Sequence, residues 1–502
     1  MILSIDAGTT GVTALLVDET GSVAGRGYQE FEQHYPKPSW VEHDAEQIWQ
    51  AALSAVRHAL AGAGVVAAEI ECIGITNQRE SVVFYDRVTL AAARPVIVWQ
   101  DRRTTRVIDD LREAHKSTDL ETLVRGKTGL TLDPYFSASK IRWVALNEPQ
   151  VWSKVLAGDV VIGTIDTYLV ARLTGGKAHI TDASNASRTQ LFDIRKSEWC
   201  GELLEIFGVP LKALPTVVDS SGHLAVADAD SFLGISAPIT GIAGDQQAAL
   251  FGQSCFEPGE AKCTYGTGAF ILQNAGDKAI EPSHGMLSTV AWRIGGKSTY
   301  AIEGAVFIAG AAVQWLRDGI EMIATAPEIE PLARSVESSD GVVFVSALTG
   351  LGAPHWVPDA RGALLGITRG TTKAHVARAT LESLAFQVRD VFAAMAMNSG
   401  CAPLAKLRVD GGASANTLLL QLQANQLGVS LERPRNVEST AIGAAYLAGL
   451  GAGIFSSLAQ LKAMATVDLV VHPEPGAEAE AEVNHSYERW LRAIEVSRQF
   501  QS

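Results

Sequence analysis

The fold of this chain is decided by the stretch Asp6-Ala7-Gly8-Thr9-Thr10-Gly11, which joins two β-prone runs through a glycine-rich turn. The flanking runs are residues 2–6 and 12–18, and a second turn at residues 19–22 leads into a third run. This pattern predicts a β-meander. A carboxylate at the strand end and two hydroxyls in the turn can hold a phosphate group and Mg²⁺, although glycine–threonine turns also close ordinary hairpins.

The same pattern returns half a chain later. Residues 261–265 and 269–273 are β-prone and flank Gly266-Thr267-Gly268. A repeat at this separation indicates an internal duplication. Both halves continue with strands that alternate with helical patterns, which predicts mixed α/β layers. We therefore expect two domains, residues 1–254 and 255–502.

Composition excludes several classes of protein. The chain has 502 residues, 47% of them hydrophobic, so it is not intrinsically disordered. Its formal net charge is −14 and it has no stretch rich in lysine and arginine, which argues against nucleic-acid binding because that requires a basic face. Five scattered cysteines without a C-x-x-C pattern indicate reduced thiols, as in a cytoplasm.

One uncharged run, residues 439–461, is long enough to be tested as a membrane span. Its four glycines favour two buried helices joined by a break. No membrane span is therefore expected. Farther on, residues 477–482 begin an acidic helix that is expected to pack Trp490 and Leu491 on the body of the protein.

Polar clusters follow apolar, strand-like runs at three places, and the ligands of α/β sheets bind at such strand ends. The clusters are Thr76-Asn77-Gln78-Arg79-Glu80, Trp99-Gln100-Asp101-Arg102-Arg103 and Gly244-Asp245-Gln246-Gln247. Surface ion pairs and a helix N-cap at Asp245 are the alternative interpretations. A further glycine turn at residues 411–412 opens the helical run 417–427, which suits an anion or a plain β-to-α turn.

A resemblance adds to this reading of the residues. The chain resembles the glycerol kinases, a group within the FGGY carbohydrate kinases, in blocks that occur in the family's order from the first turn to about residue 449. Besides the clusters above, the blocks include Trp40-Val41-Glu42-His43, Asp133-Pro134-Tyr135-Phe136-Ser137, Thr264-Tyr265-Gly266-Thr267-Gly268, Glu303-Gly304-Ala305-Val306-Phe307, Gln314-Trp315-Leu316-Arg317-Asp318 and Gly350-Leu351-Gly352-Ala353-Pro354.

The resemblance implies two duplicated α/β domains of the ribonuclease H-like, actin-like ATPase fold, with the active site in the cleft between them. It also implies phosphorylation of glycerol to sn-glycerol 3-phosphate, with ATP as donor and Mg²⁺ as cofactor. A cytoplasmic homodimer or homotetramer is the expected assembly. A kinase of another polyol or ketose, or a non-catalytic relative that binds the ligand, remains the alternative.

Individual site residues follow from the same resemblance. Asp245 is the implied general base, and Asp6 with Asp245 would face Mg²⁺. The implied glycerol contacts are Arg79, Glu80, Trp99, Tyr135, Asp245, Gln246 and Phe270. The implied nucleotide contacts are Thr9, Thr10, Gly11, Thr267, Gly310, Gln314, Gly412 and Asn416. In one departure, Thr13 stands where many members have an arginine in the first turn.

Overall fold

The computed structural model describes residues 1–117, 119–357, 359–436 and 438–499. Within these ranges, strands from both halves of the chain form one continuous sheet, and short two-stranded ladders surround it. The strands are β1 (Ile2–Ala7), β2 (Gly11–Val17), β3 (Val23–Glu30), β4 (Glu42–His43), β5 (Cys72–Asn77), β6 (Val83–Asp86), β7 (Val96–Ile97), β8 (Val160–Gly163), β9 (Ile180–Asp182), β10 (Phe192–Asp193), β11 (Glu198–Trp199), β12 (Thr216–Val218), β13 (Ser221–Val226), β14 (Pro238–Gly244), β15 (Glu260–Tyr265), β16 (Ala269–Gly276), β17 (Leu287–Ile294), β18 (Lys297–Val306), β19 (Val343–Val345), β20 (Ala363–Leu365), β21 (Lys406–Asp410), β22 (Leu431–Pro434) and β23 (Val467–Val471).

Helices cover the faces and edges of the sheet. They are α1 (Ala45–Ala63), α2 (Thr105–Ala114), α3 (Leu120–Thr128), α4 (Ser137–Asn147), α5 (Pro149–Ala157), α6 (Ile165–Leu173), α7 (Ala183–Ala186), α8 (Gly201–Phe207), α9 (Asp245–Gly252), α10 (Gly310–Gln314), α11 (Ile329–Arg334), α12 (Lys373–Ala396), α13 (Thr417–Leu427), α14 (Ser439–Gly451), α15 (Leu458–Met464) and α16 (Ala477–Gln499). No helix among the described residues is both long and apolar enough to cross a membrane.

The two halves of the sheet repeat one strand order. In the first half the order is β3-β2-β1-β5-β14, and in the second it is β18-β16-β15-β21-β22. In the first half β1 pairs antiparallel with β2 and parallel with β5, and β14 lies parallel to β5. In the second half β15 pairs antiparallel with β16 and parallel with β21, and β22 lies parallel to β21. This repetition confirms the duplicated α/β fold, and the predicted opening meander is present as β1, β2 and β3.

The halves meet at the centre of the sheet and through a helix. One residue pair, Ser221 with Ile294, joins β13 to β17. Helix α14 comes late in the chain, yet it packs on the first half: a Cβ on Gly74 of β5 would overlap the Ala444 carbonyl of α14. Gly241 of β14 allows the same close approach, since a Cβ there would lie 2.5 Å from the backbone nitrogen of Ala448. The predicted domain boundary near residue 255 stays a prediction.

Two expectations about helices have different outcomes. The uncharged run 439–461 forms α14, a break and the first part of α15, as predicted, but only α14 is a buried helix, since α15 buries Leu461 alone. The terminal helix α16 buries Trp490, but Leu491 is 43% exposed, so the expectation for Leu491 was wrong. The buried stripe consists of Trp490, Ala493, Ile494 and Ser497. Leu491 lies outside this stripe because neighbouring residues are about 100° apart around a helix.

Candidate active site

Parallel pairing brings three polar segments to one edge of the sheet. Asp6 of β1 lies opposite Thr76 of β5, and Asn77 at the end of β5 lies opposite Gly244 at the end of β14. The residues that follow these strands therefore emerge side by side. They include Arg79, Glu80 and Asp245, which the sequence placed in separate clusters.

Arg79 connects the two halves of the chain. Its guanidinium donates from Nη1 and Nη2 to the Glu303 carboxylate at 2.7 and 3.0 Å, and its Nε lies 3.2 Å from Oδ1 of Asp245. Arg79 and Glu303 are 2% and 1% exposed, so this is a buried pair and not a surface one. Glu303 belongs to β18, which means that the cluster lies between the halves.

A second arginine completes the buried network. Arg188 donates from Nε to Glu80 at 2.7 Å and from Nη2 to Glu303 at 3.1 Å. Burial opposes ionisation of Glu303, but Arg188 and Arg79 outweigh it and lower its pKa to about 2. Burial raises the pKa of Glu80. The Nη1 atom of Arg188 has no hydrogen-bond partner within the described residues.

Sequence reasoning assigned no role to Arg188 or Glu303. Glu303 begins the block Glu303-Gly304-Ala305-Val306-Phe307, which is part of the resemblance. A charged residue beside small residues in that block was a signal of a functional role. Arg188 follows Ser187 in a stretch without a motif, and it reaches Glu80 across 108 positions. No local pattern indicates such a pairing.

Aromatic side chains form a wall beside the charged network. The Trp99 ring packs edge-on against Tyr135 and Phe270, with ring centroids 5.7 and 6.4 Å away. The indole Nε1 of Trp99 donates to Oγ1 of Thr9 at 3.0 Å, which ties the wall to the first turn. Burial raises the pKa of the Tyr135 hydroxyl, which keeps that group a neutral donor. Three residues predicted separately thus share one surface.

Asp245 is the first residue of α9, and Gly244 occupies the N-cap position. Its Oδ1 accepts from the Gln246 N–H at 2.7 Å. Burial raises the pKa of this carboxyl, and the nearby Arg79 counteracts the rise. The Gln246 side chain turns to Lys262, whose ammonium donates to its Oε1 and also to Thr264 at 3.0 Å.

Asp6 and Asp245 form a pair of carboxylates that suits a divalent cation. Burial, followed by the charges of Asp245 and Glu438, raises the pKa of Asp6 to about 8. No group of three potential metal ligands occurs in the described part of the chain. The pair of Asp6 and Asp245 fits Mg²⁺, because this ion binds one or two carboxylates and takes its other ligands from water and phosphates. Thr13, 8% exposed, lies opposite Asp6 in the first hairpin.

A cavity of about 490 Å³ in the second half gathers most of the predicted nucleotide contacts. Its lining includes Thr267, Gly310, Gln314, Gly412 and Asn416. The Gly310 N–H donates to the Gly266 carbonyl at 2.9 Å, and a Cβ at Gly310 would lie 2.6 Å from that oxygen. The Asn416 side chain accepts from the N–H of Leu419 and so caps α13.

The remaining predicted contacts, Thr9, Thr10 and Gly11, lie in the first turn outside this cavity. The Thr9 contact with Trp99 places the turn next to the aromatic wall. The site therefore has two parts, a cluster of charged and aromatic side chains at the seam of the halves and a cavity of about 490 Å³ in the second half.

Family models match both halves of the chain. The N-terminal domain of the FGGY family of carbohydrate kinases matches residues 1–252, and the C-terminal domain of that family matches residues 261–452. The glycerol kinase of Carboxydothermus hydrogenoformans is 49% identical over 500 residues, which is 100% of this chain and 98% of that protein. The glycerol kinase of Deinococcus radiodurans is 48% identical with the same coverage.

Two solved kinase structures share the fold of this chain over almost its whole length. The crystal structure of Plasmodium falciparum glycerol kinase with ADP has a TM-score of 0.92 and 33% identity, and it covers 99% of this chain and 98% of its own. A gluconate kinase of Lactobacillus acidophilus shares the fold at 22% identity, with a TM-score of 0.89, 100% of this chain and 98% of its own covered.

Proposed function

The chain belongs to the FGGY family of carbohydrate kinases, and we infer that it phosphorylates glycerol to sn-glycerol 3-phosphate with ATP as the donor. The observation that carries this inference is the set of buried Arg79 and Glu80 with the partly exposed Asp245 beside an aromatic wall. A triol offers little apolar surface, so its recognition depends on hydrogen bonds to buried polar groups. The full-length similarity to glycerol kinases supports the same substrate.

We propose that the glycerol hydroxyls bind Arg79, Glu80, Tyr135, Asp245 and Gln246. The arginine donates and the carboxylates accept, so the site offers both kinds of partner to the hydroxyls. Trp99 and Phe270 would cover the carbon chain.

Asp245 is the proposed general base. Its carboxylate is 27% exposed, whereas Arg79 and Glu303 behind it are 2% and 1% exposed. It therefore presents an oxygen to a substrate while the arginine fixes its orientation. In the reaction, the glycerol hydroxyl loses its proton to Asp245 as its oxygen bonds to the γ-phosphorus, and the bond to the β–γ bridging oxygen breaks to release ADP.

Mg²⁺ would neutralise phosphate charge when it is bound. Asp6 and Asp245 are the residues that would hold it, together with the phosphates of ATP. Thr9, Thr10 and Gly11 would present hydroxyls and backbone N–H groups to the phosphates, and the cavity with Thr267, Gly310, Gln314, Gly412 and Asn416 would take the nucleoside. Closure of the halves would exclude water, which competes with glycerol for the phosphoryl group.

We propose a cytoplasmic location, where ATP is available and the five free cysteines stay reduced. A homodimer or homotetramer is the proposed assembly, since closed symmetric oligomers are the common form for such enzymes. Light scattering during size-exclusion chromatography would measure the assembly directly.

A substrate panel tests the proposed function. ADP release with Mg-ATP would be measured across glycerol, dihydroxyacetone, erythritol, xylitol and xylulose. We expect the highest kcat/KM for glycerol. Activity on a longer polyol or ketose alone would assign the chain to a sibling kinase. Ligand binding without turnover would indicate a non-catalytic relative.

A further inference from the structure

A closed ring of hydrogen bonds ties the first turn to the aromatic wall. Its members come from five separate segments of the first half of the chain and are Thr9, Gln33, His43, Gln78, Ser81 and Trp99. His43, Gln78 and Ser81 are buried, and the other three are half-buried. The proposed function uses Thr9 and Trp99 but gives no role to the other members of this hydrogen-bonded ring.

His43 lies at the middle of the hydrogen-bonded ring and contacts two amide side chains. Its Nε2 lies 2.7 Å from Oε1 of Gln33, and its Nδ1 lies 3.3 Å from Nε2 of Gln78. Because an amide oxygen accepts and an amide nitrogen donates, the imidazole donates from Nε2 and accepts at Nδ1. Only the neutral imidazole does both. Burial lowers the pKa of His43 to about 4, which keeps the imidazole neutral near pH 7.

The two amides hold the first turn by its carbonyl groups. Nε2 of Gln33 donates to the Thr9 carbonyl at 2.9 Å. Nε2 of Gln78 donates to the Gly8 carbonyl at 3.1 Å. In a trans peptide the N–H group points opposite to the carbonyl, so the N–H groups of Thr9 and Thr10 point away from the two amides. These are among the groups that the proposed function gives to the phosphates of ATP.

The other side of the hydrogen-bonded ring reaches the aromatic wall. The Ser81 hydroxyl donates to Oε1 of Gln78 at 2.8 Å and accepts from the backbone N–H of Trp99 at 3.1 Å. The indole N–H of Trp99 then donates to the Thr9 hydroxyl at 3.0 Å. Each donor around the hydrogen-bonded ring therefore faces an acceptor. Loss of one buried member leaves its neighbours without a partner, which costs more than the bond itself contributes.

We propose that His43 is a positioning residue that fixes the first turn for phosphate binding. Through the two amides, the neutral imidazole sets the direction in which Thr9 and Thr10 present their N–H groups. The side chain of His43 is fully buried, so it acts through its neighbours and does not contact the nucleotide. The inference rests on the proposed function, because it requires the first turn to bind the phosphates of a nucleotide.

Nucleotide binding without turnover tests this role. Isothermal titration of the full-length protein would compare adenylyl imidodiphosphate with Mg²⁺, which carries phosphates, and adenosine, which carries none. His43→Phe keeps an aromatic side chain that neither donates nor accepts. We expect it to weaken binding of adenylyl imidodiphosphate about tenfold, the effect of losing one charge-assisted hydrogen bond, and to leave adenosine binding unchanged. His58→Phe is the matched control, because His58 is exposed on α1.

A second variant tests the hydrogen-bonded ring where less folding stability is at risk. Gln33 is half-buried, and Gln33→Met keeps the length of the side chain but removes the amide between His43 and the first turn. We expect the same selective loss of adenylyl imidodiphosphate binding. Gln50→Met, on the exposed face of α1, should change neither affinity. Thermal unfolding would verify that each variant folds, and Gln33→Met decides the question if His43→Phe does not fold.

The outcomes separate this inference from the proposed function. Equal losses for the two ligands in folded variants would show a merely structural role for His43 and would overturn the inference. Unchanged binding of both ligands would overturn it as well, while glycerol turnover by the wild type would leave the proposed function standing. A wild-type protein that binds neither ligand would overturn the proposed function and the inference together.

Discussion

Glu303 holds two buried guanidinium groups with a single carboxylate. Both Arg79 and Arg188 come from the first half of the chain, and each also contacts a proposed glycerol-binding carboxylate, Asp245 or Glu80. Removing one partner of such a pair leaves buried charge without compensation, which costs more than the pair itself contributes. Glu303 is therefore a positioning residue whose loss affects folding as well as binding.

Glu303→Gln should lower the free energy of unfolding at pH 7 by about 3–5 kcal/mol. The pKa of Glu303 falls from its ordinary value of 4.5 to about 2 on folding. Its contribution is therefore complete above about pH 4.5 and is lost as the pH falls through about 2. Urea unfolding at pH 7 and pH 3 should show a smaller difference from wild type at the lower pH. The exposed Glu198→Gln is the control, and a pH-independent difference would contradict this account.

Asp245→Asn should leave folding and ADP binding intact and lower kcat at least about 100-fold, because an amide cannot accept the hydroxyl proton. The side chain keeps its size, and its oxygen can still accept from the Gln246 N–H. Steady-state kinetics, with calorimetry for ADP, would check the prediction. Near-full turnover would remove Asp245 from the role of base.

Sequence motifs pointed to individual residues that follow strand ends. They missed residues that contact these from distant positions in the chain. Arg79 and Asp245 follow apolar strands, a local signal that left surface ion pairs and a helix cap as alternatives, and the family resemblance implied their roles. Arg188 is not locally marked, and its importance comes from a contact across 115 positions to Glu303. The error at Leu491 has a simpler cause, since helical phase decides burial and the sequence alone did not fix that phase.

Helices α9 and α14 cross with almost no side chain between their backbones. A Cβ on Gly443 of α14 would overlap the Ala248 carbonyl of α9, and one on Gly252 would overlap the Ser439 carbonyl. Because α9 begins at Asp245, this close crossing fixes the position of the helix that carries the proposed base. The sequence predicted a helix in the run that forms α14, but its distance from α9 depends on small residues far apart in the chain.

Gly443→Ala should lower stability by about 1–3 kcal/mol, since the added methyl group forces the helices apart. Gly62→Ala is the matched control: Gly62 lies within α1, and a Cβ there would meet nothing within 4 Å. In that open helical position alanine should gain up to about 1 kcal/mol. Thermal unfolding of both variants checks the contrast, and a fall of equal size in both would show that the crossing is not the cause.

The two halves of the molecule depend on each other more than the sequence repeat indicates. The duplication and the fold class were predictable, because the repeated hairpins are local patterns. The position of α14 was not, since the sequence assigns it to the second half and the structure packs it on strands β5 and β14 of the first. Long-range packing of this kind leaves no periodic signature.

Residues 1–254 expressed alone should not form a stable domain, because the surface covered by α14 would be exposed. We expect an aggregated fragment, and co-expression with residues 255–502 should restore solubility and native circular dichroism. Sedimentation of the two preparations gives the measurement. A monomeric, cooperatively unfolding fragment would show that α14 is dispensable for the first half.

The Arg79–Glu303 pair restricts how the two halves of the gene can evolve. Arg79 and Arg188 are encoded in the first half of the gene and their shared partner Glu303 in the second, so Glu303 cannot mutate alone without leaving buried positive charge unmatched. Halves recombined between relatives would be functional only where the two sides still match. Although the fold arose as a repeat, its halves are constrained to evolve as a single unit.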